Sequence, residues 1–317
     1  MGLKIISTGA SAPEKSVTND DLSKLLDTSD EWIVSRTGIK SRFISTGETL
    51  TDLAAGAAGI ALSRAGMTVA DMDYIICSTM GGDYQFPSLA CCIAERMGAA
   101  CPAFDVNAAC SGFIYGLDVA DGYLSLGKAK NILLICGEMM SKLVDWGDRS
   151  TCVLFADGAG ACVLAQGDAL KYLHLTATGN VKALNCPAGT GNNPFRENLA
   201  PGFTHMEGAD VYKFAVLVAE EESKKALDTL HMTPDEIDYY LLHQANKRII
   251  DTARTRMKQP EEKFPINIDR YGNTSAATLP ILLDEMLEAG KIQKGTKLLF
   301  SAFGAGLTSG TCVMIWE

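Results

Sequence analysis

Three polar side chains stand where apolar, strand-like runs give way to helical spacing: Cys110 in NAACSGFIYGL, His243 in YYLLHQAN and Asn273 in RYGNTSAAT. A cysteine at a helix N-terminus meets unpaired backbone N–H groups and the positive end of the helix dipole. Both favour the thiolate and make the sulfur a usable nucleophile near neutral pH. The residues after Cys110 repeat as Phe113, Ile114, Leu117 and Leu124, the i, i+3, i+4, i+7, i+14 stripe of a buried amphipathic helix with Cys110 in its first turn. Each residue alone also has a plainer reading. Cysteine commonly fills space in cores, a single histidine is commonly satisfied by backbone groups, and an asparagine in YGNTS suits a turn. Their joint occurrence at three related strand-to-helix junctions is what points to one pocket.

The elements that must position them repeat within the chain. ALSRAGMTVADMDYIICST, starting at Ala61, overlays ALDTLHMTPDEIDYYLLHQ, starting at Ala226, with Ala, Leu, Met, Thr, Asp and Tyr coinciding. Farther on, DVNAACSGFIYGL overlays DRYGNTSAATLPILL, which brings Asn273 nearly onto Cys110. The chain therefore reads as a duplicated unit with two domains, residues 1–167 carrying the nucleophile and 168–317 carrying His243 and Asn273. Strands alternating with helices predict an α/β fold with parallel, right-handed crossovers. Two similar halves packed about a pseudo-twofold axis bring equivalent loops together. Cys110, His243 and Asn273 then share a pocket outside the carboxyl ends of the strands.

Composition narrows the partners. With 317 residues, 47% of them hydrophobic, the chain can bury a large core. No apolar run approaches the roughly 20 residues that cross a bilayer. The N-terminus, MGLKIISTGASAPE, reads as a strand and turn without the apolar region of an export signal, so the expected location is the cytoplasm with no membrane partner. The ten cysteines include no C-x-x-C pair, which disfavours zinc and cluster sites, so no metal is expected. A formal charge of −10 argues against general nucleic-acid binding.

Taken together and in order, TSDEWIVSRTGIKSR, DVNAACSGF, LLHQANKRII, YGNTSAAT and SAFGAGLTSG resemble the β-ketoacyl-[acyl-carrier-protein] synthase III family of the thiolase superfamily, over essentially the whole chain. Elongating ketosynthases place a second histidine where this chain has Asn273, and thiolases use a second cysteine. The resemblance implies a thiolase-like, five-layered αβαβα fold and a homodimer. It implies condensation of an acyl-CoA starter, acetyl-CoA first among candidates, with malonyl-acyl carrier protein. No cofactor is implied beyond the CoA thioester substrate. By the same resemblance Cys110, His243 and Asn273 are catalytic, and the backbone N–H groups of Cys110 and Ala305 form the oxyanion hole. The family often has three consecutive glycines where this chain has Gly304, Ala305 and Gly306, so Ala305 must keep the donor without positive φ.

Trp32 and Arg36, four apart on one helical face, suit an adenine and a phosphate. The resemblance adds Thr28, Arg149 and Asn246 to the CoA contacts. The basic stretch ANKRIIDTARTRMK follows His243 in an acidic chain and suits an acidic carrier protein. The carrier contacts implied are Gln244, Ala245, Asn246, Lys247 and Arg248. Phe86, reaching across a dimer, and Met140 would bound the acyl pocket. The alternatives are a related condensing enzyme of polyketide, quinolone or hydrocarbon synthesis and, in a different class, a thiol hydrolase. Cys, His and Asn also serve papain-like proteases, but the local cysteine signature of those enzymes is missing.

Overall fold

A computed structural model describes residues 2–317. Five strands form the first sheet: β1 (Gly2–Ser11), β2 (Tyr74–Ser78), β3 (Ala103–Val106), β4 (Asn131–Met139) and β5 (Asp157–Gly167), in the order β1-β5-β4-β2-β3. Four form the second: β6 (Leu170–Ala177), β7 (Tyr239–Leu242), β8 (Lys297–Gly304) and β9 (Thr308–Ile315), in the order β7-β8-β9-β6. The chain passes from one sheet to the other between Gly167 and Leu170. Seven helices matter to the layering: α1 (Asp30–Thr37), α2 (Leu50–Ala65), α3 (Leu89–Met97), α4 (Gly112–Ser125), α5 (Gly208–Leu230), α6 (Lys247–Met257) and α7 (Thr278–Glu288).

The two sheets have the same plan. In each, the strand that follows the matching Met-Thr turn runs parallel to the next long strand, β2 with β4 and β7 with β8, and two antiparallel strands complete the array. The sheets are therefore mixed, whereas alternation along the sequence predicted parallel crossovers. The reason is local for β8 and β9. Only three residues join them, enough for a hairpin and far too few for a crossover. The second sheet lacks a counterpart of β3, since the segment there forms a short helix, Ile268–Tyr271.

Packing gives five layers. Helices α2 and α3 bury Leu53, Ala57, Ala61 and Ile93 on one face of the first sheet. Between the sheets, α4 contributes Phe113, Ile114, Leu117 and Leu124, and α7 contributes Leu279, Leu282 and Leu283. Beyond the second sheet, Ala226, Leu227, Ile250 and Ala253 cover β7 and β8. The stripe that follows Cys110 is wholly buried, and each of its large side chains contributes roughly 1.5–3 kcal/mol. Helix starts are specified locally. Thr49 and Asp52 form a capping box on α2, and the repeated Met-Thr motif ends in two matching boxes, Thr68 with Asp71 and Thr233 with Glu236. No described helix is long and apolar enough to cross a membrane.

Candidate active site

Cys110 lies in a 3₁₀ turn, Ala109–Ser111, that leads directly into α4. Its counterpart is the turn Ser275–Ala277 leading into α7. Both turns open on a residue of positive φ, Ala109 at 47° and Ser275 at 53°. Both are preceded by an asparagine whose Oδ1 accepts a backbone N–H two residues on, Asn107 from Ala109 at 3.2 Å and Asn273 from Ser275 at 2.8 Å. Asn273 is thus the structural equivalent of Asn107, and Ala276 that of Cys110. The overlay that set Asn273 nearly on Cys110 was slipped by two residues: it paired Asp105 with Asp269, an offset of 164, and the offset at these turns is 166. The sharp junction needs Gly112, where a Cβ would approach the Ser78 hydroxyl to 1.9 Å.

The three side chains nevertheless meet. A cavity of about 530 Å³ is lined by Cys110, His243 and Asn273 together with Trp32, Arg36, Arg149, Arg248, Phe303 and Gly304. Cys110, His243 and Asn273 are 8%, 2% and 5% exposed. Trp32 is partly buried, and Arg36, Arg149 and Arg248 are exposed, so the cavity runs from a basic, aromatic mouth to a buried end. Asn273 is held by Phe155 and its neighbours: its N–H donates to Leu154 O at 2.9 Å and its carbonyl accepts from Ala156 N at 3.0 Å. With Oδ1 taken by Ser275, the Nδ2 hydrogens are the carboxamide's offer to the cavity.

His243 continues β7 and packs edge-on against Phe303 at 5.2 Å between ring centroids. Burial pushes its imidazole down to about 3, so the ring is neutral. Its Nδ1 lies 2.7 Å from Thr278 Oγ1, which lies 3.0 Å from Ser275 O. The single hydroxyl hydrogen of Thr278 therefore selects the tautomer. Given to Nδ1 it leaves the ring proton on Nε2, and given to Ser275 O it leaves Nε2 as an acceptor.

Cys110 departs from the expectation of an acidic thiol. Burial pushes it up to about 12, and the Ser275 hydroxyl, donating at 3.3 Å, and a backbone bond only partly oppose this. Cys110 stands one turn ahead of the helix proper, and desolvation of a thiolate outweighs the hydrogen bonds that favour it. A second buried acid stands behind the sulfur. Glu138, 1% exposed at the end of β4, reaches Ser275 Oγ at 3.5 Å and accepts from Met80 N at 3.2 and 3.3 Å. Sequence reasoning passed over Glu138, Ser275 and Thr278. The available signal was a lone carboxylate closing the apolar run NILLICGE and two hydroxyls inside YGNTSAAT.

Ala305 is not a lining residue of the cavity, whereas its neighbour Gly304 is. A Cβ on Gly304 would stand 2.7 Å from the Cys110 amide nitrogen, so glycine is needed there. Ala305 does not take positive φ, so its Cβ costs no backbone strain. Thr308 ties the two turns together, donating to Ala305 O at 3.0 Å and lying 2.8 Å from Ser111 Oγ.

At the mouth, Arg36 and Arg149 lie 4.5 and 4.9 Å from the Trp32 ring centroid, and Arg149 also contacts Asp27. Asn246 lines the cavity, caps α6 and donates to Arg36 O at 3.0 Å. Thr28 is not a lining residue, and its Oγ1 is buried without a partner. Within the basic stretch, Gln244 is fully buried, donating to Leu242 O and accepting from Asn267 N. It has no surface to present to a partner, contrary to the expectation of a carrier contact. Lys247 is neutralised by Asp251 at 2.7 Å, Ala245 lines the cavity, and Arg248 lies exposed over the Tyr212 ring. Met140 is buried beside Val153, and Phe86 is 85% exposed, both outside this cavity.

Residues 104–179 match the family model for 3-oxoacyl-[acyl-carrier-protein] synthase III, and residues 227–316 match the model for its C-terminal part. Beta-ketoacyl-[acyl-carrier-protein] synthase III of Clostridium acetobutylicum is 44% identical over 320 residues, covering 99% of this chain and 98% of its own. The protein of the same name from Caldanaerobacter subterraneus is 45% identical over 323 residues, with 99% and 97% covered. The crystal structure of 3-oxoacyl-[acyl-carrier-protein] synthase III from Aquifex aeolicus superposes with a TM-score of 0.92 at 42% identity, covering 99% of this chain and all of the other.

Proposed function

The chain belongs to the 3-oxoacyl-[acyl-carrier-protein] synthase III family and has its thiolase-like fold, and from that premise we propose how its cavity carries out the reaction. It is an acyltransferase that condenses an acyl-CoA starter with malonyl-acyl carrier protein, releasing CO2 and CoA and giving the first 3-oxoacyl chain of fatty acid synthesis. The observation that carries the reading is the convergence of Cys110, His243 and Asn273 in one cavity whose mouth holds Trp32 with two guanidiniums over its ring.

Cys110 sulfur attacks the thioester carbonyl and becomes an acyl-enzyme. The developing oxyanion takes the Cys110 N–H and the N–H of the Gly304–Gly306 turn, each donor contributing up to about 3 kcal/mol. Malonyl-carrier then binds with its thioester oxygen between His243 Nε2–H and Asn273 Nδ2. In this step Thr278 donates to His243 Nδ1, which fixes the donor tautomer. A neutral imidazole and a carboxamide stabilise the enolate left by CO2 without a carboxylate beside it, whose charge would oppose its formation. The enolate attacks acyl-Cys110 and expels the thiolate.

Trp32, Arg36, Arg149 and Asn246 hold the CoA nucleotide, its adenine entering beside the Trp32 ring as Arg149 moves aside. Arg248 steers the acidic carrier to the mouth. A homodimer follows from Phe86, whose exposed ring belongs in the acyl pocket of a partner, and acetyl-CoA is the expected starter. The test is incubation with malonyl-carrier and a panel of acyl-CoAs, read by mass spectrometry. Acyl transfer to Cys110 followed by a 3-oxoacyl-carrier product supports the reading, and acylation without condensation overturns the synthase assignment.

A further inference from the structure

A thiol pushed up to about 12 must give its proton to something when it attacks, and the proton must return when the sulfur leaves. His243 is a poor acceptor, because its ring is neutral only by virtue of resisting protonation. The other group within reach is Glu138. It stands on the far side of Ser275 from the sulfur, with the Ser275 hydroxyl 3.3 Å from Cys110 Sγ and 3.5 Å from Glu138 Oε1. We propose that Glu138, acting through the Ser275 hydroxyl, takes the Cys110 proton during acylation, keeps it for the lifetime of the acyl-enzyme and returns it to the sulfur at condensation.

The inference rests on the condensing reaction proposed above, and its steps balance. In acylation the carboxylate of Glu138 takes the Ser275 hydroxyl proton, and Ser275 takes the thiol proton. The sulfur–acyl bond forms, and CoA leaves as a thiolate that is protonated by water. In condensation the enolate carbon bonds to the acyl carbon and the Cys110–acyl bond breaks. The neutral Glu138 then returns its proton through Ser275 to the released sulfur. One proton is consumed overall, as the conversion of a malonyl carboxylate to CO2 requires.

The charge bookkeeping explains why a carboxylate can sit there at all. While the acyl-enzyme waits, Glu138 is neutral, so the malonyl carboxylate and the enolate meet no second anion. Burial pushes the Glu138 carboxyl up to about 8, so it exchanges a proton near working pH. The groups that face it are Ser275 at the start of α7, Thr79 and Met80 after β2, and the thiols of Cys110 and, on its own strand, Cys136. None of the influences on Glu138 comes from a cation.

The test is single-turnover acylation of Cys110 by the best acyl-CoA of the panel, followed by mass spectrometry from pH 6 to 9, with unfolding temperature as a control. For the wild type the rate rises through an inflection near pH 8 as Glu138 ionises. Glu138→Gln lowers the rate at pH 8 by about a hundredfold and removes the inflection. Ser275→Ala does the same, and the double variant is no slower than either single one. Alanine fits the backbone there, since Ala109 takes the same positive φ in the equivalent turn. If Glu138→Gln does not fold, Ser275→Ala alone decides. Wild-type rates in the variants, or a uniform slowing that keeps the inflection, overturn the relay and leave the condensing reaction standing. A wild type that no acyl-CoA acylates overturns both.

Discussion

Replacing Glu138 by glutamine has a consequence for stability that can be worked out from burial alone. The ordinary glutamate value is 4.5, and in the folded protein burial raises Glu138 to about 8. The folded state therefore holds this proton more tightly than the unfolded chain. The stability it contributes is fully present below pH 4.5 and is lost as pH rises through 8. Each unit in that window removes about 1.4 kcal/mol, so the whole span of about 3.5 units removes about 5 kcal/mol. Glutamine keeps the shape and an acceptor for the Met80 N–H but has no proton to lose. Lost or altered hydrogen bonds shift its stability by a constant, and the pH-dependent part of the difference belongs to Glu138. The buried His243 works in the opposite sense, destabilising the fold as pH falls below 6.5, but it is present in both proteins and cancels.

The assay is thermal unfolding of wild type and Glu138→Gln in matched buffers from pH 5 to 8.5. Between pH 5 and 8.5 the wild type loses about 4 kcal/mol of that total, so at roughly 2 °C per kcal/mol for a chain of this size the variant should gain about 8 °C on it across the range, with the gap opening steadily towards alkaline pH. Curves that stay parallel to within a degree or so would refute the reasoning, because they require a carboxyl that titrates alike in both states. Set beside the acylation experiment, the same substitution is expected to remove the alkaline loss of stability and to disable, the signature of a group kept for chemistry against the preference of the fold.

Cys110→Ser should abolish acyl-enzyme formation, whereas Asn273→Ala should mainly slow decarboxylation; equal loss in both half-reactions from Asn273→Ala would contradict its role as an enolate donor. Thr278→Val removes the hydroxyl that selects the His243 tautomer and should slow malonyl-carrier decarboxylation by about tenfold while leaving Cys110 acylation within about twofold, measured as separate half-reactions. Gly304→Ala sets a Cβ 2.7 Å from the Cys110 amide; strain of roughly 1–3 kcal/mol and a displaced oxyanion donor should cut acylation at least tenfold. Arg248→Glu should raise the apparent KM for malonyl-carrier and flatten its dependence on ionic strength, with acyl-CoA KM unchanged.

What could be read from the sequence divides along a physical line. The stripe from Cys110 to Leu124, the capping motifs at Thr68 and Thr233 and the turns at Asn107 and Asn273 are set by residues within a few positions of one another, and the duplication shows them twice. Even the overlay that put Asn273 nearly on Cys110 was out by only two residues in register, corrected by the matching asparagine bonds. Electrostatics was not legible in the same way. The helix terminus that favours a Cys110 thiolate is local, but the burial that outweighs it is assembled from α4, α7, β4 and β8, separated by up to nearly 200 positions. Glu138 closes a strand in which every neighbour is apolar, and its significance appears only when Ser275, 137 residues later, is folded between it and the sulfur. The same burial sets all three titrations. It holds the imidazole neutral as a donor, makes the thiol reluctant to ionise alone, and lifts the one carboxyl behind it into the range where it can take that proton. A cavity built to keep water from an enolate cannot avoid raising its own nucleophile, and a buried acid with a proton affinity near neutrality resolves the conflict by keeping no more than one negative charge within the cavity at any stage.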